Sequence, residues 1–69
     1  MIYTLETLRA MKRGMHSDEQ LTVVVAPPAH APFRGYVVGI GSRLSVRDPD
    51  HKRLVEDVPA HWVKYAEVC

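Results

Sequence analysis

Residues 34–58, RGYVVGIGSRLSVRDPDHKRLVEDV, decide the fold. The stretch is rich in β-branched residues, alternates with period two, and is broken by turn signals, which predicts a β-meander. Arg34 to Ile40 reads as one strand with Tyr36, Val38 and Ile40 on one face. Gly39, on the other face, marks a bulge or a close approach of backbone. Gly41-Ser42 reads as a two-residue hairpin turn. Arg43 to Arg47 then alternates, with Leu44 and Val46 inward and Arg43, Ser45 and Arg47 outward. Asp48-Pro49-Asp50-His51 is a turn, and Lys52 to Val58 is the next strand. The register is open: a loop at 48–51 sets Val55 opposite Leu44, and a loop at 48–50 sets Leu54 there. A slip of one residue exchanges the faces.

Working outward, Pro59-Ala60-His61-Trp62 predicts one tight helical turn led by proline, and Val63 to Val68 a last short strand. Upstream, Leu21 to Ala26 (LTVVVA) is a nearly continuous apolar strand, which predicts cover on both faces, with the helix on one side. PPAHAP at 27–32 cannot donate enough backbone hydrogen bonds to lie inside a sheet, so it is an extended, partly polyproline-like loop. His16 to Gln20 is a polar turn. Residues 4–13 predict a helix with Thr4 as N-cap, Glu6 at its positive end and Lys12 and Arg13 at the other. Ile2, Leu5, Leu8 and Met11 form its apolar stripe, and Gly14 sits where a C′ glycine ends a helix. The rival reading makes Ile2 to Leu5 a first strand. The expectation is one α+β domain over 1–69, a short helix followed by a small four- or five-stranded antiparallel sheet.

The ending VEDVPAHWVKYAEV resembles the close of an SH3-like small β-barrel. There too a strand, a proline-led helical turn with an aromatic, and a short closing strand finish the fold. The resemblance covers residues 35–68 and implies a partly closed barrel. It does not carry proline-peptide binding: an ALYDY-type first strand, an acidic RT-loop and paired groove tryptophans are missing, and only Trp62 lies near a groove position.

Composition narrows the function classes. With 69 residues, the chain buries only about 60% of its unfolded surface, so a partner or second copy would help it. Hydrophobic residues make up 46% and charged residues 25%, which is too apolar for a disordered chain. The net charge of +1 argues against a polyanion mimic and against a strong salt-driven grip on nucleic acid. Cys69 is the single cysteine, so no internal disulfide forms, which fits a reducing compartment. No apolar run reaches the roughly 18–20 residues of a membrane span, and no secretory leader is visible, so the expected location is cytoplasmic.

The residues offer no recognisable catalysis. His16, His30, His51 and His61 are ten or more residues apart, unlike paired metal ligands, and surface histidines explain them better than a His51, His61 and Cys69 site. Ser17, Ser42, Ser45 and Cys69 lack the base and orienting group a nucleophile needs. Asp48 and Asp50 suit turn chemistry, because Glu56 is misplaced for an EF-hand ligand set. No cofactor and no metal are expected, and the chain is read as not an enzyme.

Binding remains. Met11 and Met15 are adaptable residues near the helix end, and Phe33, Arg34, Tyr36 and Trp62, with Tyr65, are types that anchor interfaces. The ordinary alternative places the aromatics in the core. Arg43, Arg47, Lys52 and Arg53 suggest a nucleic-acid face, with Tyr36 and Trp62 for stacking. Against this, Asp48, Asp50, Glu56 and Asp57 neutralise the same region, and pairs such as Arg43 with Glu56 make a normal solvated sheet. The expected function is therefore non-enzymatic binding of another protein, as a phage- or mobile-element-type adaptor or inhibitor, with a homodimer in view. A small nucleic-acid-binding barrel is the alternative.

Overall fold

A computed structural model of the chain describes residues 2–68. Helix α1 spans Leu5–Arg13. The Thr4 hydroxyl caps it by accepting from the Thr7 N–H at 3.1 Å. Glu6 in the first turn and Lys12 and Arg13 in the last complement the helix dipole. Gly14 follows in an ordinary right-handed conformation and its N–H bonds Ala10 O, so the left-handed cap geometry is not used. Leu8 is fully buried and Leu5 and Met11 are half-buried. Ile2 is not on this stripe, being 83% exposed. The reason is local: Thr4 is extended, so the chain leaves the helical path before Ile2. Tyr3 packs against the core instead, in the manner of a hydrophobic staple.

Five strands follow: β1 (Leu21–Val25), β2 (Phe33–Ile40), β3 (Leu44–Asp48), β4 (Arg53–Val58) and β5 (Val63–Val68). They form one sheet in the order β4-β3-β2-β1-β5, with every neighbouring pair antiparallel. The fold is thus a small α+β arrangement of one helix and a five-stranded antiparallel sheet, with β4 and β5 as its edges. A one-turn 3₁₀ helix at Ala60–Trp62 joins these edges after Pro59. The Trp62 carbonyl accepts from Ala26 N at 2.8 Å, which ties that turn to the end of β1. Among the described residues no helix is long and apolar enough to cross a membrane.

Register corrects several sequence expectations. The β2–β3 loop is three residues, Gly41 to Arg43, because Ile40 pairs with Leu44. A bulge between Val37 and Gly39 leaves Val38 unpaired. Phe33, Gly35 and Val37 alternate inward along β2, so Tyr36 and Val38 face outward, and the bulge then returns Ile40 to the inner side. Between β3 and β4 neither expected pairing occurs. Lys52 takes a positive φ of 51°, so the strand starts at Arg53, paired with Asp48. Val55 then lies opposite Val46, and Leu54 opposite Arg47. Asp57, also at positive φ (59°), adds an irregularity that brings Val58 opposite Leu44.

The inner face gathers Val23, Val25, Phe33, Val37, Leu44, Val46, Val58 and Val63 with Leu8. Each fully buried aliphatic side chain contributes about 2 kcal/mol. Gly35 sits among them because nothing larger fits: a Cβ there would lie 2.5 Å from Arg47 O and 2.6 Å from Val46 Cγ1. β1 is covered on both sides, but its outer cover is not the helix. Thr22 is flanked by Tyr36 and Glu67, and Val24 by Arg34 and Tyr65. The helix packs on β5, and Arg9 reaches across to donate to Gly41 O at 2.6 Å.

Candidate functional site

The site is built around a carboxylate that strand alternation carries inside. Leu44, Val46 and Asp48 share the inner side of β3, and Asp48 is fully enclosed. A buried carboxylate needs donors. The turn that Asp48 begins supplies them: His51 donates its N–H to Oδ1 at 3.3 Å, and its Nδ1 lies 2.8 Å from Oδ2. Arg53 Nε donates to Oδ2 at 3.0 Å from the first position of β4. Burial is the largest single influence on this carboxyl and pushes its pKa up. The hydrogen bonds from His51 and Arg53 and the His51 charge together outweigh it, so the net pKa lies below the usual aspartate value of 3.8.

Arg53 is held on a second side. Its guanidinium carbon lies 5.2 Å from the centre of the Phe33 ring, in cation–π contact. Phe33, buried from the core side, and Arg53 thus form one wall of a groove of about 510 Å³. The loop wall is Pro27, His30, Ala31 and Pro32. Val55, His51 and the half-buried Trp62 complete it. Trp62 makes an edge-on contact with His61, their centres 6.2 Å apart. The proline-rich loop is positioned here because β1 ends at Val25 and β2 begins at its partner Phe33.

A second cleft of about 510 Å³ lies on the other side of Arg53, between Arg47, Pro49, Lys52 and Leu54. A third, about 360 Å³, lies between Arg9, Lys12, Arg13 and Ile40.

The sequence candidates are distributed over these places. Phe33 and Trp62 meet in the groove. Arg34 and Tyr36 lie on the outer face of the sheet, beside Val24 and Thr22. Met11 and Met15 are half-buried against the core. Of the basic set, Arg47, Lys52 and Arg53 surround the second cleft, whereas Arg43 stands at the far end of β3 in the loop after β2. The suggested Arg43–Glu56 pair does not form; Asp48 is the carboxylate that the ion pairs share. Among the described residues no group of three ligating side chains is placed to hold a metal, and Cys69 lies outside them. Sequence reasoning assigned Asp48 to its turn but missed its burial and its hold on Arg53. The alternation Leu44, Val46, Asp48 was the signal.

No family model, curated protein or solved structure matches the chain.

Proposed function

We propose that this chain is a non-enzymatic protein-binding module whose binding surface is the groove between the proline-rich loop, the start of β4 and Trp62. One observation carries the reading: six of the nine residues lining the groove are apolar, and Phe33 and Trp62 are among them. Apolar lining with a few fixed polar groups is the usual make-up of a binding cleft. Aromatics at its wall, the buried Phe33 and the half-buried Trp62, are the residue type that anchors partners. In finer detail we propose that the sheet curls into a partly closed SH3-like barrel. Its strand order, the helical turn before β5 and the tight approach of β2 to β3 at Gly35 support this. An adaptor or inhibitor of a host protein, of the phage or mobile-element type, working in the cytoplasm and pairing as a homodimer, is the biological form of the proposal.

A tagged chain used as bait in a bacterial lysate tests it. One protein retained in fixed ratio, unaffected by nuclease and released by Trp62→Ser with the fold intact by circular dichroism, is the expected result. The nucleic-acid alternative has its own observation, the cleft between Arg47, Lys52 and Arg53. Capture abolished by nuclease, and weakened by Arg47→Ala rather than Trp62→Ser, would replace the first reading with this one.

A further inference from the structure

Resting on the protein-binding reading of the groove, we propose that its occupant is an acidic peptide segment: a side-chain carboxylate held by Arg53, beside an apolar side chain seated on Phe33, Val55 and Trp62. The argument starts from the guanidinium. Its Nε is spent on Asp48 at 3.0 Å and one face is spent on the Phe33 ring. Among the described residues no acceptor takes its two Nη groups, and the side chain is 52% exposed. The group is thus fixed on two sides with its forked donors unspent, the arrangement that matches a planar carboxylate. Pre-ordering also lowers the entropy lost when a partner binds.

Charge points the same way. The groove is lined by Arg53, His30 and His51 and by no carboxylate. Asp48, which holds Arg53, is enclosed and already has its donors, so it adds no exposed like charge to the lining that an entering anion meets. A nucleic-acid strand would also offer anions, but the apolar majority of the lining favours a peptide that brings an apolar side chain with its charge.

Trp62, the single tryptophan, reports occupancy by its fluorescence. The full chain is titrated with two blocked heptapeptide mixtures, randomised over leucine, phenylalanine, valine and serine around a fixed central glutamate or glutamine. The glutamate mixture is expected to bind about tenfold tighter at low salt, as a charge-assisted hydrogen-bond pair provides. The advantage shrinks as salt is raised. In Arg53→Lys, which keeps the charge and loses the fork, most of the advantage disappears. Equal saturable binding of both mixtures overturns the carboxylate inference and leaves the protein-binding reading standing. No saturable change with either mixture, or quenching by a single-stranded DNA 15-mer alone, overturns both. The glutamate–glutamine comparison uses the unaltered chain, so it decides the matter even if Arg53→Lys unfolds.

Discussion

The two faces of the sheet are made from the same alternating strands and end in opposite states. On the inner face, Val23, Val25, Leu44, Val46 and Val58 are completely buried, and even a charged residue, Asp48, is enclosed and satisfied. On the outer face, Val38, Leu54 and Tyr65 remain 50%, 54% and 49% exposed, with Tyr36 half-buried between Thr22 and Arg47. The helix, the loop and the 3₁₀ turn supply cover for one side only. A small chain has too few residues to cover both sides. The inner face therefore sets stability, and the outer face and the groove rim are free to change.

The comparison is broken most directly at Gly35. Gly35→Ala drives a methyl into the Arg47 carbonyl and the Val46 side chain, so a loss of about 3 kcal/mol is expected. A domain of this length holds only about 3–10 kcal/mol in all, so a large fall of the urea midpoint, followed through Trp62 fluorescence, is the check. A midpoint within error of the parent would mean that β2 and β3 are not packed this closely.

Asp48→Asn tests whether the inner face depends on the charge. The folded carboxyl has a lowered pKa, so its contribution is fully present above the unfolded value of 3.8 and is lost as pH falls through the lower folded value. Stability of the parent should decline over that acid range. In Asp48→Asn the part of the decline due to this group should vanish, while the midpoint at neutral pH drops. Equal acid slopes in the two proteins would count against the Asp48–His51–Arg53 cluster.

On the outer face, Leu54→Ser should change stability by no more than about 0.5 kcal/mol in a thermal melt. A larger loss would show that this face is covered in solution, by a second copy or otherwise. The smallest effect is expected at Lys52→Gly. It relieves a left-handed backbone position and adds freedom to the unfolded chain, two terms that nearly cancel, so a change within about 0.5 kcal/mol is expected.

Much of this was legible in the residues. Strong local signals placed the helix after Thr4, the strand LTVVV, the proline loop and the turn before β5, because caps, β-branched runs and prolines act through neighbouring atoms alone. Phe33 and Trp62 were visible as candidates, yet nothing local says that residues 29 positions apart line one groove with Arg53. Faces were harder. Ile2 fell off the stripe when the cap extended the chain, and Val38 faces outward because Phe33 and Gly35, paired with the buried Val25 and Val23, set the alternation of β2.

What the sequence by itself determined, then, is the set of elements, their order, and the one-sided pattern of β3. Those follow from intrinsic backbone preference and side-chain shape over a few residues. The tertiary structure alone decided the β3–β4 register, the side on which β2 buries its valine, and the anchoring of Arg53 between Asp48 and Phe33. Each depends on long-range packing: an irregularity in one strand is fixed by the fit of its partner, and a buried charge is tolerated only where the folded chain brings its donors within hydrogen-bond reach.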